Sequence, residues 1–262
     1  MKCEVMLSIM NISNKDELIK NMKLNKCIII NQITKNIKTQ QDDICTEQKF
    51  LSFKEKGLSK SRNKALKNAT GDICILADDD VVYVDNYENI IVDAYEKYKD
   101  ADVIAFVVME ENENKRSKVL KEGKLSFLKS MKLSSCNITF KRESIINNNI
   151  CFDEKFGAGS TYPWGEDNIF LFDCKRKKLK MYYVAQKIAD KVDTGTSTWD
   201  KSNTIEHFNY QGIIYYRMSK RFYWILILQF ALRKKKIYGK ELTFFQVLKA
   251  MFKGVKKYKK VI

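Results

Sequence analysis

Three consecutive carboxylates, Asp78, Asp79 and Asp80, are the residues of this sequence best placed to do chemistry. They follow the apolar run 72–77, which predicts a buried strand, and their adjacent negative charges repel one another. If the chain stays extended here, Asp78 and Asp80 point to the same side. They can then share one Mn²⁺ or Mg²⁺ ion, which prefers oxygen ligands. Taken alone, the run is explained equally well as an acidic turn that caps the next helix.

The segment before this strand carries a second candidate group. Gly57 is followed by Ser61-Arg62-Asn63 at the head of a predicted helix, and Gly71-Asp72 then leads into the strand. Arg62, near a helix N-terminus, adds positive charge where a diphosphate can bind. Considered alone, Arg62 is better explained as an ordinary surface residue of that helix.

A third stretch lies downstream. Gly157 and Gly159 stand close together, and Trp164 precedes Gly165-Glu166-Asp167 at the start of another predicted helix. Acids in a first helical turn complement the helix dipole, which explains Glu166 and Asp167 locally. The dipole does not explain why this pair follows the acidic run in this order.

Together the three stretches resemble the family 2 glycosyltransferases of the GT-A fold, over roughly residues 3–200. The family pattern is a glycine, then Ala/Ser-Arg-Asn, a Gly-Asp turn, a strand ending in Asp-x-Asp, and later a glycine-rich loop with Gly-Glu-Asp. In inverting members the last Asp is the general base. The resemblance therefore implies that Asp167 deprotonates the acceptor and that Glu166 orients the acceptor or the base. It further implies that Gly157, Gly159 and Trp164 contact the acceptor.

The resemblance also implies a donor pocket at the ends of the first two strands. The matching residues are Met10-Asn11 and Asn31-Gln32, and the family's usual proline, aromatic and acidic residues are missing there. This departure leaves the identity of the nucleotide base undecided, and uridine is the default by analogy with the fold. The only histidine, His207, is better explained as a surface or packing residue than as a further metal ligand. In this resemblance Asp78 and Asp80 are the metal ligands, and Asp79 faces away or reaches the ribose. The full set of implied donor contacts is Met10, Asn11, Asn31, Gln32, Arg62, Asp78, Asp79 and Asp80.

The order of predicted elements indicates an α/β fold of the GT-A, Rossmann-like type, with a mixed, mostly parallel sheet flanked by helices. We expect a GT-A catalytic domain over residues 1–205, with a nucleotide-binding half over about 1–110 and an acceptor half over about 111–205. Residues 206–262 are expected to form a helical, basic C-terminal segment. Strands are predicted over 3–10, 26–31, 49–53, 72–77, 103–109, 135–140 and 181–185, and helices over 14–22, 59–68, 86–98 and 165–175.

Positive charge is concentrated near the C-terminus. The formal net charge is +16, and residues 231–262 hold eleven lysine or arginine residues and one acid, Glu241. Basic residues behind the apolar run 222–232 predict contact with an anionic membrane surface, although a solvated lysine-rich tail has the same composition. That run is shorter than the roughly 20 residues that span a bilayer. Seven cysteines without a Cys-x-x-Cys pair favour a reducing cytoplasm over a zinc or disulfide framework.

These observations predict an inverting, metal-dependent glycosyltransferase of the hexosyltransferase type. We expect it to move a sugar from a nucleotide-sugar to a hydroxyl of a glycan or lipid-linked acceptor in bacterial surface polysaccharide synthesis. The expected location is cytoplasmic, with peripheral contact at the inner face of the plasma membrane, and no nucleic-acid partner. Two alternatives stay open. A nucleotidyltransferase is disfavoured because no Gly-rich basic loop follows the first strand. A basic nucleic-acid-binding protein is disfavoured because most of the charge lies in the tail.

Overall fold

The computed structural model describes residues 1–110, 120–192, 203–239 and 241–261. The chain divides into two compact units, Met1–Thr196 and Ser197–Ile262. The domain boundary near residue 205, and the two functional halves on either side of residue 110, stay predictions.

The first unit is an α/β structure with nine strands. Its helices are α1 (Asp16–Met22), α2 (Leu58–Asn68), α3 (Tyr87–Lys97), α4 (Phe127–Ser130), α5 (Arg142–Asn147) and α6 (Glu166–Arg176), and Ser135–Asn137 forms a 3₁₀ turn. Its strands are β1 (Cys3–Met10), β2 (Cys27–Gln32), β3 (Gln48–Phe53), β4 (Ile73–Ala77), β5 (Val81–Tyr83), β6 (Val103–Glu110), β7 (Gly123–Lys124), β8 (Ile138–Lys141) and β9 (Met181–Lys191).

All nine strands belong to one mixed sheet of order β3-β2-β1-β4-β8-β6-β9-β5, with β7 paired to β9. Strands β1, β2, β3, β4, β6 and β9 run in one direction, and β5, β7 and β8 run against them. The predicted mixed, mostly parallel sheet is therefore confirmed. From β1 the chain passes outward to β2 and β3 and then returns to β4 on the other side of β1. Such a switch point opens a ligand crevice at the carboxyl ends of the strands.

The central strands are hydrophobic throughout because helices cover both faces of the sheet. Alternate residues of β1 therefore belong to two different hydrophobic clusters. Val5 and Leu7 pack in the cluster that contains residues of α1 and α3, whereas Met6 packs in the cluster that contains residues of α2 and α6. Five of the seven cysteines are buried and act as small core residues, and Cys45 and Cys151 are exposed.

A buried ion pair positions the turn that leads into the acidic strand. Glu4 on β1 accepts hydrogen bonds from the backbone N–H groups of Thr70 (2.5 Å) and Gly71 (2.6 Å). Lys49 on β3 neutralises the Glu4 carboxylate at 3.2 Å. A Cβ atom on Gly71 would lie 2.6 Å from the Glu4 side chain, so this close approach requires glycine. The Gly-Asp turn therefore serves to place β4 beside β1.

Most predicted elements are confirmed with ends shifted by one or two residues, but the end of β9 and the start of β8 differ from the prediction, and the short elements β5, β7, α4 and α5 were not predicted. β5 directly follows the acidic run and was not predicted. β9 continues to Lys191 instead of ending at Ala185, and residues 135–137 form a turn instead of the start of a strand. The two strand errors have one cause, because β5 and the end of β9 pair with each other, Val81 opposite Lys191. Pairing between such distant segments leaves no local signal.

The second unit is helical, as predicted for the C-terminal segment. It contains α7 (Ile205–Met218), α8 (Tyr223–Tyr238) and α9 (Phe244–Lys259). Thr204 caps α7, and Thr243 with Gln246 forms a capping box on α9. Helices α7 and α9 cross in backbone contact, because a Cβ atom on Gly212 would lie 2.1 Å from the Met251 carbonyl oxygen and one on Gly254 would lie 2.1 Å from that of Asn209.

Within the described part of the chain, no helix is both long enough and apolar enough to cross a membrane.

The helix crossing can be tested at Gly254. Alanine in a helix is normally favoured over glycine by about 1 kcal/mol, but here its methyl group collides with backbone. We expect Gly254→Ala to destabilise the second unit by about 1–3 kcal/mol or more, as for overpacked interiors. The exposed neighbour Lys253→Ala is the matched control and should leave stability almost unchanged. Thermal or urea unfolding followed by circular dichroism measures both, and equal stability of the two variants would contradict the close crossing.

Candidate active site

The acidic run lies where β4 ends at the carboxyl edge of the sheet. Asp79 is exposed, whereas Asp78 and Asp80 are partly buried. Ligand atoms of Asp78, Asp80 and Cys136 all lie within 4.8 Å of one another, which makes this the one potential metal-binding group of three among the residues that the structure describes. Cys136 comes from the turn before β8, an antiparallel strand whose beginning meets the ends of the parallel strands.

Arg62 is the central residue of the site. Its side chain is 1% exposed, and its guanidinium contacts Asp167 at 2.6 Å, Asp78 at 3.3 Å and Glu166 at 3.4 Å. Burial acts to lower the pKa of Arg62, but the three carboxylates outweigh it and raise the pKa, so the group stays a cation. Sequence reasoning placed Arg62 against a diphosphate or on the surface. The structure instead directs its guanidinium to carboxylates inside the protein, because the buried Glu166 and Asp167 and the partly buried Asp78 require a counter-charge.

Asp78 is held as a carboxylate from several directions. Its Oδ1 atom faces Arg62, and its Oδ2 atom accepts hydrogen bonds from Ser135 Oγ (2.9 Å) and Cys136 Sγ (3.4 Å). Burial by itself would raise the pKa of Asp78, but Arg62 and the Ser135 hydrogen bond lower it below its usual value. Asp78 is therefore charged and fixed in orientation.

Asp80 is held on one oxygen only. Its Oδ2 atom lies 2.9 Å from Lys191 Nζ at the end of β9. Its Oδ1 atom is buried and has no hydrogen-bond partner among the described residues. A buried carboxylate oxygen without a partner is costly, and a bound cation would satisfy it.

The donor set suits a hard divalent cation. Burial, followed by the charge of Asp78, raises the pKa of Cys136 above its usual range, so its thiol remains protonated and donates to Asp78. The oxygens of Asp78 and Asp80 are then the ligands that remain, and Mg²⁺ or Mn²⁺ prefers such oxygens to thiols.

Glu166 and Asp167 open α6 and are both buried. Gly165 precedes them at φ 100°, a conformation that favours glycine. Burial, followed by the charge of Asp167, raises the pKa of Glu166. Burial also raises the pKa of Asp167, although Arg62 acts to lower it. The two neighbouring carboxyl groups therefore retain one proton between them more readily than exposed acids do. Since Arg62 lies closer to Asp167 than to Glu166, this proton belongs on Glu166 and the negative charge on Asp167.

The glycine-containing loop before α6 docks on the start of α2. Leu58 N donates to Ala158 O (2.9 Å), and Ser59 Oγ donates to Phe156 O (2.6 Å). Gly57 occupies the N-cap position of α2, and the Ser59 hydroxyl in the first turn bonds to this loop. Gly157 (φ 105°) and Gly159 (φ 77°) both have left-handed conformations.

The same two glycines are also closely packed. A Cβ atom on Gly159 would lie 2.9 Å from the Lys56 side chain, and one on Gly157 would lie 3.3 Å from that of Glu166. Gly157 therefore lies against one of the buried acids. Trp164, which follows this loop in the sequence and precedes α6, is half-buried.

The residues predicted to form the base pocket lie at the ends of β1 and β2 on the same edge of the sheet, but two of them already bond to backbone. Asn31 bonds the N–H (3.1 Å) and carbonyl (2.7 Å) of Ile12. Gln32 bonds the N–H (3.1 Å) and carbonyl (3.0 Å) of Gly57.

The two residues at the end of β1 are closer to the surface. Met10 is exposed, and Asn11 (φ 56°) binds the segment after β2 through Thr34 and Lys35. The buried amides thus hold the loops that form the crevice, and exposed Met10 is the member of this set that is open to solvent.

Sequence reasoning missed Ser135, Cys136 and Lys191. Each lies far along the chain from the acidic run and belongs to no motif, so only strand pairing brings it there. His207 lies in the second unit near the start of α7, where its backbone N–H bonds to Thr204 Oγ1 at 3.2 Å. A role for His207 as a metal ligand stays untested.

Solved structures of S. aureus TarS are similar to almost the whole chain. Residues 1–349 of TarS in complex with UDP-GlcNAc match with a TM-score of 0.66 and 13% identity, over 98% of this chain and 81% of that chain. The same TarS segment in complex with UDP gives a TM-score of 0.61 at 13% identity, over 97% of this chain and 81% of that chain. At such low identity the likeness shows the fold, which is the GT-A fold.

Sequence comparison assigns the chain to a family. The family model described as glycosyl transferase family 2 matches residues 26–156, half of the chain. Comparison with curated proteins gives no match. The matched segment contains Arg62 and the acidic run, and the chain belongs to the family 2 glycosyltransferases.

Glu166 provides a test of the buried acid group through stability. Because its pKa is raised in the folded state, the folded protein binds this proton more tightly than the unfolded chain does. The stability that this proton contributes is complete at pH values below the pKa of glutamate in the unfolded chain, about 4.3. It is lost as the pH rises through the pKa of Glu166 in the folded protein. Glu166→Gln cannot ionise, so we expect its Tm relative to wild type to be higher at pH 8 than at pH 5, by roughly 2–6 °C.

The exposed Glu143→Gln variant is the control, and its Tm difference from wild type should change little between the two pH values. If Glu166→Gln and Glu143→Gln respond alike to pH, Glu166 does not carry the buried proton.

Proposed function

We propose that this protein is an inverting, metal-dependent transferase of the hexosyltransferase type that moves a sugar from a nucleotide-sugar, by default a UDP-sugar, to a hydroxyl group. The proposed acceptor is a glycan or a lipid-linked glycan of a bacterial surface polysaccharide. The proposed site consists of Asp78 and Asp80 on the donor side and Asp167 on the acceptor side.

One observation carries the proposal: the guanidinium of Arg62 contacts Asp78 and Asp167 at the same time. A transferase of this kind needs carboxylates that hold a cation for the leaving diphosphate and a base that takes the acceptor proton. The two must be held at a fixed separation. Arg62 links carboxylates suited to these two tasks through one rigid, planar cation. A simple acidic turn would not require a buried arginine or a second acidic pair.

The donor side is supported by the position of the acidic run at the switch point of the sheet, beside the ends of β1 and β2. Structures of S. aureus TarS with the same fold contain UDP-GlcNAc or UDP. In our proposal Met10 lies against the base, whereas Asn31 and Gln32 shape the pocket through the backbone they hold. Asp79 is exposed and available to the ribose.

The proposed chemistry is a single displacement. Asp167 takes the proton of the acceptor hydroxyl, the acceptor oxygen forms a bond to the anomeric carbon, and the bond from that carbon to the diphosphate oxygen breaks. A divalent cation held by Asp78 and Asp80 would neutralise the negative charge of the diphosphate. A raised pKa makes Asp167 a stronger base than an exposed aspartate, while its contact with Arg62 keeps it ionised.

The acceptor is proposed to lie over the loop that carries Gly157 and Gly159. Their left-handed backbone keeps this loop close to Glu166, so an acceptor hydroxyl on the loop is near Asp167. Trp164 offers a half-buried ring against which the apolar face of a sugar can pack.

Two isosteric variants separate the proposed roles. Asp80→Asn removes one metal ligand, so we expect it to abolish Mn²⁺-dependent UDP binding and sugar transfer. Asp167→Asn leaves the donor side intact, so it should bind UDP with Mn²⁺ as wild type does while losing at least about 10²-fold in transfer, the lower end for a lost general base.

Calorimetry of UDP binding and turnover of a panel of nucleotide-sugars measure these effects. The exposed Asp85→Asn is the control and should behave as wild type. Retained metal-dependent binding in Asp80→Asn, or full transfer by Asp167→Asn, would remove that residue from its role.

We also propose that the second unit binds an anionic membrane surface through α8. Trp224, Leu228 and Leu232 recur at helical spacing and are 50%, 42% and 58% exposed. Arg233, Lys235 and Lys236 are exposed on the same helix, and Arg221 is exposed just before its start. An exposed apolar stripe bordered by cations complements an anionic lipid surface, and a lipid-linked acceptor would be found there.

The membrane proposal is tested by sedimentation with vesicles. Wild type should sediment with vesicles containing phosphatidylglycerol and much less with pure phosphatidylcholine. The variant Trp224→Ser/Leu228→Ser/Leu232→Ser should remain in the supernatant with both.

Ile44→Ser/Leu128→Ser removes equally exposed apolar residues from the first unit and should sediment as wild type does. Equal sedimentation of all three proteins would refute the role of α8. Concentration-dependent association without vesicles would instead assign the stripe to contact between copies.

A further inference from the structure

Two cationic side chains contact the acidic run among the residues that the structure describes, and they differ in access. Arg62 is 1% exposed and its guanidinium is occupied by three carboxylates, so it cannot turn toward a ligand. Lys191 is 31% exposed and contacts Asp80, which is itself 20% exposed. Of the two cations, Lys191 alone can reach a group that enters from solvent.

The backbone fixes Lys191 beside Asp80. Val81, which directly follows Asp80, pairs with Lys191 across the antiparallel strands β5 and β9. Val192 N donates to the Asp80 carbonyl oxygen at 2.8 Å, next to this pair. The ion pair is therefore set by strand register and is not a chance meeting of two long surface side chains.

Lys191 leaves half of the Asp80 carboxylate for another cation. Its ammonium contacts Oδ2, whereas Oδ1 is buried without a hydrogen-bond partner in the described residues.

We propose that Lys191 is a donor-positioning residue that shares Asp80 with the divalent cation and holds the diphosphate of the nucleotide-sugar. This inference rests on the proposed function, and it transfers to Lys191 the phosphate contact that sequence reasoning gave to Arg62. An ammonium group is a flexible point charge with three donors and suits phosphate oxygens.

The proposal requires two effects of opposite sign. Without nucleotide, the Lys191 ammonium repels the divalent cation and neutralises part of the Asp80 charge, so it weakens metal binding. With the metal in place, the same ammonium attracts the diphosphate, so it strengthens nucleotide binding. A lysine that only stabilised the ends of β5 and β9 would produce neither effect.

The experiment compares Lys191→Met with wild type in two binding measurements. We expect Lys191→Met to bind Mn²⁺ roughly three- to tenfold more tightly in the absence of nucleotide, measured from the electron paramagnetic resonance signal of free Mn²⁺. At saturating Mn²⁺ we expect it to bind UDP roughly tenfold more weakly, measured by calorimetry.

Two further variants serve as controls. Lys191→Arg keeps the charge and should restore UDP binding to near the wild-type level. Lys187→Met removes an exposed lysine of the same strand, which pairs with Asp190 at 2.6 Å, and should change neither measurement. Circular dichroism and Tm confirm that each variant is folded.

The outcomes separate this inference from the function on which it rests. If wild type binds neither Mn²⁺ nor UDP, the proposed function fails. If wild type binds both and Lys191→Met binds them equally well, the function stands and the role of Lys191 is overturned. Weaker Mn²⁺ binding by a folded Lys191→Met would also overturn it, because Lys191 would then support the metal site instead of competing with it.

Discussion

The buried guanidinium of Arg62 is the interaction on which the candidate site depends. Asp78 directly follows β4, and Glu166 and Asp167 open α6; without a counter-charge their carboxylates would repel one another. Removing one partner from such a buried group typically costs about 3–5 kcal/mol, since the remaining charges stay buried and uncompensated. The position of α2 relative to β4 and α6 is therefore a condition for the existence of the site.

The division of charge follows from this arrangement. Arg62 supplies the permanent cation that keeps the acids together, and being buried it cannot also serve a ligand. The side of the run nearer to solvent contains Asp80 and Lys191, where one carboxylate oxygen of Asp80 has no hydrogen-bond partner among the described residues. The buried acids thus share the charge of Arg62, whereas the solvent side keeps an unused carboxylate oxygen, as expected where charged ligands bind and leave.

The backbone around the site shows a second constraint, which is close approach. Gly71 permits the Glu4 side chain to hold the turn before β4, and Gly157 and Gly159 permit the loop before α6 to lie against α2. Gly212 and Gly254 do the same for the helices of the second unit. In each case glycine occurs where another segment crowds the space of a side chain.

The sequence alone determined the class of fold, the family and the positions of the main motifs. Apolar runs, the Gly-Asp turn and the order of Arg62, Asp78–Asp80 and Gly165–Asp167 are local features, and local features can be read from one chain. The tertiary structure decided which groups meet. It buried Arg62 among acids instead of exposing it to a diphosphate, and it turned Asn31 and Gln32 toward backbone. It also brought Ser135, Cys136 and Lys191 to the acidic run. These contacts depend on strand pairing and burial between distant segments, and neither leaves a periodic or compositional trace in the sequence.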